Sequence, residues 1–166
     1  QDVYINDISS PTPDAATLVD ITAECEVLAT DVTAPTATDN CSGTVTVTND
    51  ATFPISTQGT TVITWSYEDV NGNISTQTQN VVIDDVTAPV ADQATLADIT
   101  AECEVLATDV TPPTATDNCG GTVSVTNDVT FPITSQGTTI ITWSYEDENG
   151  NISTQTQNVV IDDVTA

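Results

Sequence analysis

Residues 60–83 read TTVITWSYEDVNGNISTQTQNVVI. Ile63, Trp65 and Tyr67 alternate with polar residues, which is the pattern of a strand that turns one face towards a core. The Asn-Gly pair that follows favours a tight two-residue hairpin turn, and a return strand comes after it. We therefore expect Trp65 in the core, with a sugar-stacking surface as the alternative.

Shorter runs rich in Thr and Val occupy the sequence before this hairpin. They lie at 17–23, 27–38 and 43–48, with short pieces around 52–57, and turn residues separate them. β-branched residues favour extended strands over helices. Six or seven short strands in so few residues predict an all-β fold, a small sandwich of the immunoglobulin type.

The sequence repeats itself with a period of 78 residues. Residues 11–88 and 89–166 align without a gap and differ at only 12 positions. Residues 1–10 align with 79–88, so we expect them to be the last strand of a preceding repeat. The sequence thus predicts two tandem immunoglobulin-like β-sandwich domains, end to end, at 11–88 and 89–166. Near-identical copies are typical of long arrays.

The charge of the chain excludes several functions. Its 166 residues include 25 Asp and Glu but no Lys, Arg or His, giving a formal net charge of −25. Without cations the chain cannot neutralise nucleic-acid phosphates or use a polybasic membrane anchor. It also lacks the residues of histidine triads, Schiff bases and Walker-type phosphate sites. We therefore expect no enzyme, no nucleic-acid partner and, without a long apolar run, no membrane insertion.

Each repeat contains two cysteines, 16 residues apart: Cys25 and Cys41 in the first, Cys103 and Cys119 in the second. An even number of cysteines in a chain with the composition of a secreted protein predicts disulfides. Pairing within each repeat would close a loop worth about 3 kcal/mol. A metal site and a redox-active pair are the alternatives, although the spacing lacks a CxxC motif or a histidine.

Acidic clusters predict a calcium site at the start of each repeat. The strand directions bring the turn at 69–73, the Asp-Asn pair at 39–40 and the incoming linker to one pole of the domain. Calcium takes six to eight oxygen ligands, and carboxylates and amides provide them. The predicted junction site of the second repeat comprises Asp84, Asp85, Asp117, Asn118, Asp147, Asn149 and Asn151. The equivalent set of the first comprises Asn6, Asp7, Asp39, Asn40, Asp69, Asn71 and Asn73.

Two alternatives to this site remain open. Asp and Asn also favour turns without any metal, because their side chains bond to nearby backbone. Calcium bound elsewhere on the chain is the other alternative.

Three motifs carry a resemblance to a known family. They are PTATDNC at 35–41, FP at 53–54 and GTTVITWSYEDVNGN at 59–73. In this order they resemble the hyalin-repeat (HYR) family, in particular the HYR-like repeats of large surface adhesins in gliding Bacteroidota, such as the SprB-type gliding adhesin. The resemblance implies an immunoglobulin-like fold, secretion and cell adhesion. The usual HYR cysteine of the last strand is absent, because Asn80 and Val81 occupy that region, so the family's disulfide pattern does not carry over.

These observations predict a non-enzymatic extracellular spacer in the stalk of a cell-surface adhesin, rigidified by calcium at its domain junctions. Its partners would be neighbouring repeats of the same long chain, with surface glycans or other cells bound through a separate tip. The alternative is a subunit of a self-assembling surface filament, to which residues 1–10 would donate a strand. A lectin-like binding module is the third possibility.

Overall fold

The chain forms two compact units, Gln1–Asp85 and Val86–Ala166. The structure is a computed structural model that describes residues 6–41 and 43–164. Each unit is an immunoglobulin-like β-sandwich, as predicted, and the described residues contain no α-helix. The predicted domain boundary after residue 88 lies three residues beyond this division. The boundaries after residues 10 and 88 stay predictions.

The first unit consists of a four-stranded sheet and a two-stranded sheet. Its strands are β1 (Thr12–Pro13), β2 (Ile21–Ala23), β3 (Ala37–Thr38), β4 (Thr46–Asn49), β5 (Gly59–Glu68) and β6 (Ile74–Ile83). The main sheet has the order β2-β6-β5-β4, and the small sheet pairs β1 with β3. Among these strands β2 and β6 run parallel, and the other pairs are antiparallel.

The hairpin of β5 and β6 supplies most of the core. Its strands pair from Gly59 with Ile83 to Glu68 with Ile74. The inward residues of β5 are buried, with Trp65 only 2% exposed. This confirms the core position of the tryptophan and excludes a sugar-stacking surface for it, because a buried ring offers no face to a ligand.

The inner face of β6 is polar along half its length. The indole Nε1 of Trp65 donates a hydrogen bond to Oε1 of Gln79 at 2.9 Å, and the Tyr67 hydroxyl donates to Gln77 at 2.8 Å. Both glutamines also donate to backbone carbonyls, those of Val19 and Ala15. The aromatic polar groups are therefore satisfied inside the sandwich, as buried polar groups must be.

The turn of this hairpin is wider than the predicted two-residue turn, which was wrong. Five residues, 69–73, separate the two strands. Gly72 N donates to the carbonyl of Asp69 at 3.3 Å, and Gly72 has a φ of 85°. The side chain of Asp69 fixes the wider loop, because it accepts the N–H groups of Asn71 and Asn73.

The predicted strand at 27–38 was also largely wrong. A single β-bridge joins Val27 to Ile55, a 3₁₀-helix spans Ala29–Asp31, and only the two residues of β3 are in a sheet. The carboxylate of Asp31 accepts the N–H of Leu28 at 2.8 Å. Such local side-chain bonds compete with strand pairing.

The second unit repeats this arrangement. Its strands are β7 (Val90–Ala91), β8 (Ile99–Ala101), β9 (Ala115–Thr116), β10 (Ser124–Asn127), β11 (Gly137–Glu146) and β12 (Ile152–Ile161). The main sheet has the order β8-β12-β11-β10, and β7 pairs with β9. Trp143 is 2% exposed and Tyr145 fully buried, so this unit has its own core.

The predicted last strand of a preceding repeat, at 1–10, is tested only in part. Residues 1–5 lie outside the described residues, and residues 6–10 are not in a strand. Their counterparts at 84–88 are not in a strand either. A strand at residues 1–5 therefore lies outside the described residues and stays a prediction.

Candidate metal centre

Three segments of the first unit meet at one end of its main sheet. We call this end, where β5 turns into β6, the N-terminal pole, and the end where β6 finishes the C-terminal pole. Asn73 Nδ2 donates to the carbonyl of Asp7 at 3.2 Å, and Asn40 Nδ2 donates to Ser9 Oγ at 3.2 Å. The incoming segment, the Asp-Asn pair and the hairpin turn thus come together, as the strand directions predicted.

Asp69 organises the hairpin turn at this pole. Its Oδ1 accepts the N–H groups of Asn71 and Asn73, at 2.8 and 2.9 Å, and its Oδ2 accepts Asn73 Nδ2 at 2.8 Å. Desolvation alone would raise the pKa of Asp69, but these hydrogen bonds outweigh it and hold the pKa below its usual value. Asp69 therefore remains a carboxylate, and its oxygens are engaged by the turn itself.

Asp7 and Asp39 form an acidic cluster beside the turn. One carboxylate oxygen of each, together with Sγ of Cys41, lie within 4.8 Å of one another. The Oδ2 of Asp39 accepts the N–H of Cys41 at 2.8 Å, and Asp7 accepts the N–H of Ser9 at 3.0 Å. The other oxygen of Asp39, Oδ1, is buried and has no hydrogen-bond partner among the described residues.

This cluster has the chemistry of a hard-cation site. Two carboxylates repel each other at such a separation, and no basic side chain exists in the chain to relieve them. A buried carboxylate oxygen without a partner is also costly, because it has lost its water without gaining a hydrogen bond. A bound calcium ion would relieve the repulsion between the carboxylates and give the buried oxygen a partner. Calcium prefers carboxylate and carbonyl oxygens as ligands and completes its shell with water.

The thiol of Cys41 does not suit such a cation. Desolvation raises the pKa of Cys41 above its ordinary value, and the carboxylates of Asp7 and Asp39 raise it further. A protonated thiol is a poor metal ligand, and calcium takes oxygen ligands rather than sulfur. The oxygens of the cluster are therefore its candidate ligands.

The predicted residues of the first unit thus divide into three groups. Asp7 and Asp39 supply the candidate ligand oxygens, whereas Asp69 and Asn73 build the turn next to them. The side chains of Asn6, Asn40 and Asn71 are exposed.

The second unit contains the same turn, and Asp117 is its counterpart of Asp39. Asp147 accepts the N–H groups of Asn149 and Asn151 at 2.8 Å each, and Asn151 Nδ2 at 2.9 Å. Asp117 is 7% exposed; its Oδ2 accepts the N–H of Cys119, while its buried Oδ1 has no hydrogen-bond partner among the described residues. The orphaned oxygen therefore recurs in both repeats.

The other predicted ligands of the second site belong to both units. Asn118 is exposed on the second unit. Asp84 and Asp85 close the first unit, where Asp84 N donates to Ala23 and Asp85 N donates to Gln58 Oε1. The predicted junction site, which would combine these residues with the second unit, stays a prediction.

The cysteines correct the predicted disulfides. Cys25 and Cys119 each take part in a disulfide, whereas Cys41 and Cys103 are free thiols. Neither predicted pair, Cys25 with Cys41 or Cys103 with Cys119, is therefore present.

The physical reason for this correction is distance. Cys25 follows β2, whose last residue pairs with Ile83 at the C-terminal pole, and Cys41 lies at the N-terminal pole. The ten residues of β6 separate these poles by roughly 30 Å at about 3.4 Å per residue. A disulfide requires Cα atoms within about 7 Å.

None of the helices in the described part of the chain is long and apolar enough to cross a bilayer.

The repeated sandwich with its acidic pole defines a class of β-sandwich repeat, and sequence comparison identifies the family. The model of the HYR-like domain with 4 cysteines matches residues 8–83 and 86–161. The chain belongs to this family. Each matched range contains only two cysteines, so the chain departs from the four that the description names.

Two proteins named hyalin are similar to the chain. Hyalin of Lytechinus variegatus is 38% identical over 144 residues, which are 79% of this chain and 26% of that protein. Hyalin of Strongylocentrotus purpuratus is 37% identical over 147 residues, which are 80% of this chain and 12% of that protein. The chain thus spans about a quarter or less of the length of these relatives.

Proposed function

We propose that this chain is a non-enzymatic spacer segment of a long extracellular adhesion protein, and that calcium stiffens each repeat at its N-terminal pole. The observation that carries the proposal is the buried, unpartnered carboxylate oxygen of Asp39 and of Asp117. Asp39 lies in the acidic cluster with Asp7, and Asp117 is its counterpart in the second repeat.

The spacer role is supported by the likeness of the two repeats. They differ at 12 of 78 positions and have the same strand order, so neither is specialised for a ligand of its own. Repetition of one rigid unit adds length, and each unit has its own core. The relation to the HYR family adds to this support.

The calcium role is supported by the electrostatics of the pole. The net charge of −25 makes a compact, closely spaced arrangement of carboxylates costly, and a bound divalent cation would offset that cost. A ligand that binds only the folded state stabilises it by about 2.7 kcal/mol at one hundred times its Kd. Loops held by such an ion would lose freedom, and the pole would become stiffer.

Thermal unfolding tests the proposal. The melting temperature is measured in calcium, in magnesium and in EDTA at matched ionic strength. We expect a rise of several degrees that is specific to calcium, and its loss in the double variant Asp39→Asn and Asp117→Asn. Equal melting temperatures in all three solutions would overturn the calcium role.

A matched control separates binding from simple relief of charge repulsion. The double variant Asp20→Asn and Asp98→Asn removes the same two charges from exposed carboxylates that accept hydrogen bonds from Asn80 and Asn158. This variant keeps the calcium-specific rise if the pole binds the ion. If both double variants lose the rise equally, the effect is general screening and the site is wrong.

The filament alternative has less support. A donated strand from residues 1–10 needs an open place in a neighbouring sandwich, but β6 already lies between β2 and β5, and β12 lies between β8 and β11. Measurement of the molecular mass in solution at rising protein concentration distinguishes the spacer from the filament subunit. A spacer stays monomeric, whereas a filament subunit forms larger assemblies.

The partners follow from the spacer role. They are the neighbouring repeats of the same long chain, while surface glycans or other cells would be bound by a tip elsewhere in the protein. An origin among gliding Bacteroidota stays a prediction. Glycan affinity measured in this two-repeat chain would favour a lectin-like module instead.

A further inference from the structure

The two cysteines of each repeat lie at opposite poles. Cys25 and its counterpart Cys103 follow β2 and β8, whose last residues pair with the ends of β6 and β12 at the C-terminal pole. Cys41 and its counterpart Cys119 each donate a backbone N–H to the aspartate at the N-terminal pole. Every repeat therefore offers one thiol position at each end.

At each of these two positions, the cysteine of one repeat is disulfide-bonded and its counterpart in the other repeat is a free thiol. At the C-terminal pole, Cys25 is disulfide-bonded and Cys103 is a free, exposed thiol; at the N-terminal pole, Cys119 is bonded and Cys41 is free and exposed. At the C-terminal pole the local sequence does not explain the difference, because AECEV occurs at both 23–27 and 101–105. At the N-terminal pole TDNC occurs at both 38–41 and 116–119, and the next residue differs, Ser42 in the first repeat and Gly120 in the second.

The local geometry does not explain it either. The hydrogen bond from the cysteine N–H to the pole aspartate is 2.8 Å long in both repeats. A partner within the same unit is excluded by the distance of roughly 30 Å between the poles. What distinguishes a bonded position from a free one must therefore lie outside the repeat itself.

We propose that Cys41 and Cys103 are attachment points for further copies of this repeat. Cys41 forms a disulfide with the counterpart of Cys25 in another copy, and Cys103 forms one with the counterpart of Cys119. Along a tandem chain the strand that ends at the C-terminal pole of one repeat is followed in sequence by the segment that enters the next repeat, and this order is the reason for the proposed pairing. The inference goes beyond the spacer role and does not depend on calcium.

The bond forms by thiol–disulfide exchange with a low-molecular-weight disulfide such as oxidised glutathione. One cysteine thiol loses its proton, its thiolate attacks the small disulfide, and one small thiol leaves. The second cysteine thiolate then attacks the mixed disulfide and displaces the second small thiol. Two protein thiols are oxidised to one disulfide while one small disulfide is reduced to two thiols.

The first test maps the thiols of the 166-residue chain. Alkylation before reduction marks free thiols, and proteases that cut at Asp or Glu release the peptides, since trypsin has no Lys or Arg to cut at. We expect modification of Cys41 and Cys103 alone. A peptide that joins Cys25 to Cys41, or Cys103 to Cys119, would overturn the proposal.

The second test supplies the missing partner. The chain is lengthened by a further copy of residues 89–166 after Ala166 and folded in a glutathione redox buffer. We expect Cys103 to become protected from alkylation until the protein is reduced, while Cys41 stays reactive and serves as the internal reference. Cys103 as reactive as before, in a lengthened chain whose unfolding remains cooperative, would overturn the proposal.

A matched variant identifies the partner cysteine. In the lengthened chain, a Cys→Ser change at the added counterpart of Cys119 should restore the reactivity of Cys103, whereas the same change at the added counterpart of Cys103 should not. Continued protection of Cys103 in the first variant would show that another group shields it, and the proposed pairing would be wrong.

Discussion

The two repeats have the same structure where the local sequence determines it, and they differ in a property that the local sequence does not determine. Asp69 and Asp147 each accept the same three hydrogen bonds in their turns, with donor–acceptor distances within 0.1 Å of each other. Cys41 is nevertheless free whereas its counterpart Cys119 is bonded. The comparison teaches that the turn is encoded within a repeat, while the state of a cysteine depends on its surroundings.

The differing positions fit this division. The 12 differences between the repeats include exposed pairs such as Val62 and Ile140, or Val70 and Glu148. Asp39 and Asp69 at the pole and the buried Trp65 are the same in the second repeat, as Asp117, Asp147 and Trp143. Substitutions made in one repeat and then in the other are therefore matched experiments.

The largest effect is expected at the buried tryptophans. Trp65→Ala and Trp143→Ala each remove a large buried ring and leave a cavity, which should cost about 3–5 kcal/mol. Because each repeat has its own core, only the altered one should unfold early in a urea titration followed by circular dichroism. Loss of both repeats in one transition would mean that they do not fold independently.

A smaller effect is expected at the glutamines that satisfy these rings. Gln79→Ala removes the acceptor of the Trp65 indole N–H and the donor to the Val19 carbonyl, and it should cost about 1–3 kcal/mol. Gln157→Ala should match it, because the Trp143 indole bonds Gln157 at 3.0 Å. Costs that differ by more than twofold in urea unfolding would contradict the equivalence of the cores.

Sequence reasoning predicted the hairpin but missed these glutamines. The alternation of apolar residues reports which face of β5 is buried, and the structure confirms that face. In β6 the inward positions near the turn are Ser75, Gln77 and Gln79, so an apolar pattern gives no signal there. A signal would have come from the polar side chains themselves, if each polar inward position of β6 had been paired with the Trp or Tyr that needs a hydrogen-bond partner.

The pole was predictable in part and the disulfides were not. Strand directions alone placed the Asp-Asn pair, the turn and the incoming segment together. The same directions separate Cys25 from Cys41, but the pairing was predicted from cysteine count and spacing, which carry no information about distance. The orphaned oxygen of Asp39 depends on side-chain burial, which no pattern of residue types specifies.

The turn glycines should have a still smaller effect. Gly72 and Gly150 have φ angles of 85° and 89°, which L residues rarely adopt. An added Cβ would meet only Glu68 Oε1 at 3.9 Å in the first repeat and nothing within 4 Å in the second. Alanine should therefore cost about 1–2 kcal/mol at either site through backbone strain alone. A cost near zero in thermal unfolding would mean that the turn changes its conformation.

The smallest effect is a pH dependence at Asp50 and Asp128. The backbone N–H of Thr64 lowers the pKa of Asp50, and that of Thr142 lowers the pKa of Asp128. A depressed folded-state pKa contributes stability above the unfolded value of about 3.9, and this stability is lost as the pH falls through the folded pKa.

Replacement of both residues by Asn isolates this contribution. The melting temperature of the double variant should lie below that of the unaltered chain at pH 6, and the difference should shrink as the pH falls from 5 to 2. Comparison with the unaltered chain removes the general relief of repulsion among the other carboxylates. A difference that stays constant with pH would contradict the assignment.

Calcium stoichiometry tests the central claim most directly. Equilibrium dialysis at physiological ionic strength counts the ions bound per chain, and the account predicts two saturable calcium sites, one for each repeat. The single variant Asp39→Asn should leave one site, and the double variant with Asp117→Asn should leave none. Weak binding that never saturates, and that these substitutions reduce no more than Asp20→Asn does, would contradict the account.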